Sequence, residues 1–270
     1  VQDSRHWQPP TGTLGTLVDR AYDRARQLDI EALKAAASAT PIPPSFTEAL
    51  RRDDVGVIAE IKRRSPSQGE INAALRAGVQ AAAYVQGGAA ALSVLTEPDQ
   101  FGGSLADLTE VRAAVSVPLL RKDFIVDYNQ IVEARAHGAS AVLLIVRALD
   151  PLELADLMEE ASTFNLTPLV EIHDQWELDV ALAHDAKVIG VNNRDLETLA
   201  VDPQTSIRLT PKIPGWVIAI AESGIADRSG VELQAAAGAD AVLCGSAVSA
   251  APDPAAAVHA LVGVPRVCRP

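Results

Sequence analysis

Glu60 and Lys62 stand two residues apart at the end of the apolar, β-branched run Val57–Lys62. Such a run reads as a buried strand, and residues i and i+2 of a strand share a face. Two opposite charges are therefore aimed into one space, and burying charges is costly unless they are paired or used. The same pattern recurs along the chain. Lys122 ends the apolar run before Phe124, Glu171 ends the run from Pro168, Asn192 and Arg194 end the run from Val188, and Glu222 ends the run from Ile218. Lysines that donate protons, carboxylates that accept them and an amide that orients them are the equipment of general acid–base catalysis. A lone strand-end lysine is more often a solvated charge, and carboxylates with lysines can form a structural ion network. Their coincidence at five strand ends favours a site, because buried ion pairs stabilise little.

A second set of residues has anion chemistry. Ser65-Pro66-Ser67-Gln68-Gly69 follows the first strand, and the pairs Ser223-Gly224 and Gly245-Ser246 follow two late ones. Hydroxyls and free backbone N–H groups suit phosphate, and glycine lets the backbone approach it. One Gly-Ser pair is ordinary turn chemistry; two on adjacent strands are more specific.

The elements that must position these groups alternate. Strand-like runs lie at 57–62, 91–95, 117–122, 141–146, 167–172, 188–192, 217–222 and 240–244. Helical stretches follow at about 77–87, 104–114, 128–138, 150–164, 174–184, 203–209, 228–237 and 253–262, several stopping at Gly, as at Gly88, Gly138 and Gly238. Strands this apolar need helices outside them and should be parallel. Eight such units predict an α/β fold, a (β/α)8 TIM barrel, with the chemistry at the C-terminal strand ends. Closure would bring the polar ends into one pocket and set Ser65 beside the last strand. An open doubly wound sheet is the alternative, but no G-x-G-x-x-G loop is present. Before the barrel, the periodicity predicts one helix from Leu14 to about Ala37, a Pro-rich stop at Thr40–Pro44 and a short helix over Ser45–Arg52. The expected organisation is a single domain over 1–270, with an N-terminal helical extension (1–52), the barrel (57–262) and a tail (263–270).

Composition narrows the function. A net charge of −12 disfavours nucleic acid and anionic membrane. Cys244 and Cys268 make neither a disulfide framework nor a zinc site, which points to a reducing, cytoplasmic setting. No membrane-length apolar run and no signal-peptide core appear. Of the histidines, His137, His184 and His259 fall on helices and read as solvated, whereas His173, two residues past Glu171, could face the mouth. Arg63 and Arg64 read as a loop charge pair.

The segments Ala59–Ser67, Ala89–Glu97, Leu120–Phe124, Leu169–His173, Ile189–Leu196 and Ala221–Ile225 resemble those of indole-3-glycerol phosphate synthase, and the likeness runs over roughly 14–262. The resemblance implies ring closure of a phosphorylated substrate, 1-(2-carboxyphenylamino)-1-deoxyribulose 5-phosphate, in tryptophan biosynthesis, with no cofactor and no metal. It implies that Lys122 is the general acid and that Glu171 handles proton transfer in the dehydration. Lys62 would bind a substrate anion and is a second candidate acid; which lysine serves which step stays open. Glu60 and Asn192 would position sugar hydroxyls and orient Lys122, and Glu222 would shape the charge balance of the mouth. Ser65, Ser223, Gly224, Gly245 and Ser246 would hold the phosphate. Phe124 and Leu143 would line the aromatic pocket, with Arg194 as electrostatic support. The expected partner is this small molecule alone, for a monomer or weak homo-oligomer.

The sequence departs from the family pattern in two places. Gln68 stands where many members have Lys, a position tied to substrate binding or gating. The stretch Ala73–Gly78 lacks the Asp-Pro that often starts the next helix, which removes an N-cap worth about 1 kcal/mol. Competing readings are a phosphoribosylanthranilate isomerase-like barrel, a Schiff-base aldolase using Lys122, and a silent barrel acting as a partner subunit. The isomerase would call for a Cys/Asp pair where strand 1 has Glu60 and Lys62, and the intact charged set argues against silence.

Overall fold

The computed structural model describes residues 7–67 and 69–269; the expectations for 1–6, Gln68 and Pro270 lie outside the described residues. Eight parallel strands close into a barrel. In chain order they are β1 (Gly56–Ile61), β2 (Ala91–Leu95), β3 (Leu119–Lys122), β4 (Ala141–Ile145), β5 (Thr167–Ile172), β6 (Val188–Asn192), β7 (Ile218–Glu222) and β8 (Ala241–Cys244). Each pairs with its sequence neighbours, and β1 closes on β8 with Gly56 opposite Ala241. The strands are buried along nearly their whole length because side chains fill the interior and helices cover the outside. All eight expected strands are therefore present, within two residues at each end.

Three helices precede the barrel: α1 (Gly12–Ala25), α2 (Ile30–Ala39) and α3 (Phe46–Leu50). The single helix expected from Leu14 to Ala37 is thus two. The last turn of α1 tightens as Gln27 and Leu28 bond back to Arg24 and Ala25, and Asp29 then restarts the helix, its side chain accepting the Ala32 N–H at 3.1 Å. Apolar spacing runs on through that break, which is why the periodicity hides it. Leu14 and Leu17 of α1 lean over the barrel mouth, while Leu50 of α3 packs against the opposite end beside Gly56.

The outer helices are α4 (Ala77–Gln86), α5 (Leu105–Ala114), α6 (Tyr128–Ala136), α7 (Pro151–Thr163), α8 (Gln175–Ala183), α9 (Gln204–Leu209), α10 (Arg228–Ala236), α11 (Ser246–Ser249) and α12 (Pro254–His259). Gly88, Gly138 and Gly238 have positive φ at the helix stops read from sequence. Arg76 provides no side-chain cap for α4, as its sequence foretells. The missing acceptor comes from α5 instead, where Glu110 Oε1 takes the Gly78 N–H at 2.9 Å. Features absent from the sequence reading include α11 itself, and a hairpin after β1 in which Arg64–Ser65 pairs with Gly69–Glu70. At the other end Asp240 anchors the tail through Arg266 and Arg269, both at 2.7 Å.

Candidate active site

A cavity of about 550 Å³ opens at the C-terminal ends of the strands. Every candidate site residue read from the sequence lines it: Glu60, Lys62, Ser65, Lys122, Phe124, Leu143, Glu171, Asn192, Arg194, Glu222, Ser223, Gly224, Gly245 and Ser246. The alternation of strands explains the selection. Lys122 points inward, while its neighbour Arg121 does not line the cavity and pairs with Asp123 and Glu133.

Lys122 is the centre of the charge cluster. Its Nζ lies 2.8 Å from Glu222 Oε2 and 3.2 Å from Glu171 Oε2. Asn192 donates its amide N–H to Glu171 Oε1 at 3.0 Å and accepts the Arg194 backbone N–H at 3.0 Å, so its orientation is fixed from both sides. Glu60 and Lys62 form a second buried pair at 2.8 Å.

The cluster sets proton affinities. Burial works against the Lys122 charge, but Glu222 and Glu171 outweigh it and hold the ammonium above its ordinary range. Burial also lifts Glu171, yet Lys122 and then His173 outweigh it, and this carboxyl stays below the usual range. Glu222 goes the other way: burial, opposed by Lys122 and reinforced by Glu171, pushes it up to about 7. One ammonium thus sits between an ionised carboxylate and one that titrates near neutrality.

The cavity has two kinds of wall. Beside β7, β8 and β1 lie Ser223, Gly224, Gly245, Ser246, Ser65 and Ser67, small polar residues with backbone N–H groups of a helix start at Ser246. Ser223 and Gly224 are both left-handed, with φ of 65° and 78°. The opposite wall, from β2 to β4 and α1, is apolar, with Leu17, Leu95, Phe101, Phe124, Leu143 and Ile145. A molecule with an anionic end and a flat apolar body would match this division.

Several residues of the site escaped the sequence reading. Asn193 is buried and donates to the Ser223 carbonyl at 3.0 Å while accepting the Ser206 N–H at 2.9 Å, which holds the left-handed turn in place. The Asn-Asn doublet at a strand end was its only signal. Glu97 accepts the backbone N–H groups of Asp99, Gln100 and Phe101 at 2.6–3.0 Å and so sets the Phe101 ring in the wall. Gly190 and Gly245 leave room for charges: a Cβ on Gly190 would overlap Glu222 Oε1, and one on Gly245 would overlap Glu60 Oε1. His173 does not line the cavity; it lies behind Glu171. Of the arginine pair, Arg63 grips Asp107 through both oxygens, at 2.5 and 2.7 Å, so it is structural. Among the described residues, no group of His, Cys, Asp and Glu is arranged to hold a metal ion. None of the described helices is long and apolar enough to cross a membrane.

Comparison with known proteins is consistent across the chain. A model of the family described as indole-3-glycerol phosphate synthase matches residues 18–261. A protein of that name from Mycobacteroides abscessus is 46% identical over 256 residues, covering 92% of this chain and 94% of the relative. Indole-3-glycerol phosphate synthase 1 of Streptomyces coelicolor is 49% identical over 248 residues, covering 92% of each. A solved structure of 3-hexulose-6-phosphate synthase aligns with a TM-score of 0.61 at 19% identity, over 77% of this chain and 98% of that one, a likeness of fold alone.

Proposed function

The chain belongs to the indole-3-glycerol phosphate synthase family, and from that membership we propose how its strand ends perform the reaction. The reaction converts 1-(2-carboxyphenylamino)-1-deoxyribulose 5-phosphate to indole-3-glycerol phosphate, carbon dioxide and water. The aromatic ring must attack a carbonyl, lose carbon dioxide from the attacking carbon, and then lose the new hydroxyl as water.

Lys122 is the acid. As the ring carbon bonds to the carbonyl carbon, the carbonyl oxygen becomes a hydroxyl and takes a proton from Nζ. The observation that carries this reading is the seat of Nζ between Glu171 and Glu222, at 3.2 and 2.8 Å, in a mouth with apolar walls. Glu222 and Glu171 favour the ammonium form, which also disfavours a Schiff base, because that chemistry needs a neutral amine. In the dehydration Glu171, held ionised, is the base that takes the proton from the new ring's carbon, while a lysine ammonium, reprotonated Lys122 or Lys62, gives the departing hydroxyl the proton with which it leaves as water. Asn192 fixes the angle of Glu171. Glu222 balances Lys122 during the transfer.

Lys62, kept in place by Glu60, binds the substrate carboxylate and serves as a reserve acid. Ser65, Ser223, Gly224, Gly245 and Ser246 bind the phosphate with hydroxyls and backbone N–H groups. Phe124 and Leu143 receive the aromatic ring, and Arg194 adds positive charge at the rim. We read the chain as one barrel domain acting on this small molecule in the cytoplasm, as a monomer or weak homo-oligomer, with no cofactor, nucleic acid or membrane partner.

The test is product fluorescence with the purified chain and no added cofactor. Lys122→Ala and Glu171→Gln should each lower turnover by about two orders of magnitude or more with little change in folding. Near-normal product formation by Lys122→Ala would overturn the assignment of the acid.

A further inference from the structure

His173 leaves the end of β5 two residues beyond Glu171, and its side chain is only 5% exposed. Its Nδ1 lies 3.1 Å from Glu177 Oε2, and its Nε2 lies 3.5 Å from Glu171 Oε1. Each ring nitrogen therefore faces a carboxylate. A neutral imidazole has one donor and one acceptor, so it suits only one of them. Neither carboxylate supplies the missing proton, because each already accepts from donors. Glu171 receives Lys122 and Asn192. Glu177 receives the His173 backbone N–H at 2.6 Å and Arg147 Nε at 2.8 Å. The ring that satisfies both sides carries two protons and a positive charge. Its Nε2 has no hydrogen-bond partner at the present spacing, a buried donor aimed at Glu171.

The charged groups facing the ring are Glu171 from β5, Glu177 from α8 and Arg147 from the turn after β4. Arg147 in turn reaches Asp174 and Asp195 at 3.4 and 3.5 Å. Signs alternate from the cavity outward: Lys122, Glu171, His173, Glu177, Arg147. A neutral ring would leave two buried carboxylates facing each other across it.

We propose that His173 is a positioning residue for Glu171: clamped by Glu177, it places a buried positive charge behind the carboxylate and keeps it ionised and turned toward Lys122. The inference rests on the reading of Glu171 as the base. Burial disfavours charge on His173, yet Glu177 and Glu171 raise its proton affinity overall.

The experiment is the pH profile of kcat/KM. His173→Gln removes a positive neighbour from Glu171, so Glu171 takes up its proton at higher pH. The acid limb should move upward by about one pH unit, the lower end of what one opposite charge at this range contributes. Glu177→Gln, which frees the ring to lose its charge, should move the limb the same way. Activity lost equally at every pH, with the limb unmoved, is the mark of a structural role and overturns the proposal. Glu171→Gln separates the two claims: if it keeps its turnover, the base is misassigned; if it is inactive while the His173→Gln limb is unmoved, only the role of His173 falls. Should His173→Gln not fold, nitrogen-15 NMR of the imidazole decides. The His173 titration should lie above the ordinary histidine range and drop in Glu171→Gln; an unmoved midpoint overturns the proposal.

Discussion

The Glu222 carboxylate rests directly over the Cα of Gly190, so close that a Cβ on Gly190 would overlap Oε1. Gly190 is the residue of β6 that faces inward one layer below Asn192, and Asn192 pairs in register with Glu222. The absent side chain is what lets Glu222 lie flat against the wall and still reach Lys122 at 2.8 Å. Gly245 does the same for the Glu60–Lys62 pair on the far side. Each buried charge group of the mouth thus has a glycine as its floor.

Gly190→Ala should therefore act through Glu222. The backbone of Gly190 has no left-handed φ, so alanine is free of strain there. The new methyl drives the carboxylate off Lys122 by roughly 1 Å, and a misplacement of that size costs about a hundredfold in turnover. Steady-state kinetics and circular dichroism check it. Turnover within a factor of two of wild type in a folded variant would show that Glu222 relaxes without consequence.

Glu222 also makes a pH signature in stability. Its carboxyl is pushed up to about 7 in the folded chain against an ordinary 4.5. Between those values the folded state holds a proton that the unfolded state has lost, so stability falls as pH rises through the window. The full effect is about 3 kcal/mol at one unit per 1.36 kcal/mol. Glu222→Gln lacks this titration. Its stability relative to wild type, measured by urea unfolding, should improve from pH 5 to pH 8. A difference that stays constant with pH would contradict it.

Much of this was legible in the sequence, for a physical reason. Strands buried on both faces read as apolar runs, so polar residues at their ends stand out, and barrel closure gathers them. Lys122, Glu171, Asn192 and Glu222 stand out this way, and all four line the cavity. Gly190 was not, because a glycine's role as a floor depends on the residue opposite it on another strand. His173 read only as a residue that could face the mouth, since two-residue spacing gives a face and says nothing of a helix behind it. There Glu177 draws the ring away. The break between α1 and α2 was hidden for a similar reason: apolar periodicity continues across a turn that the Asp29 cap makes.

The start of α4 provides a test of packing rather than chemistry. The sequence leaves this helix without a capping side chain, and Arg76 at the cap position makes no such bond. Glu110 supplies the acceptor from α5, taking the Gly78 N–H at 2.9 Å. Gly78 eases the approach, since a Cβ there would stand 3.1 Å from the same oxygen, a tight contact. A cap borrowed from a neighbouring helix satisfies one orphan donor and also ties α4 to α5. Glu110→Ala should cost about 1 kcal/mol, the worth of an ordinary N-cap, and lower Tm by roughly 2–4 °C for a domain of this size. Gly78→Asp, which would bring a second carboxylate against Glu110, should cost more than Glu110→Ala alone. Thermal unfolding of the two variants checks the order. If Glu110→Ala melts with wild type, the amide of Gly78 is satisfied by solvent and the borrowed cap contributes nothing.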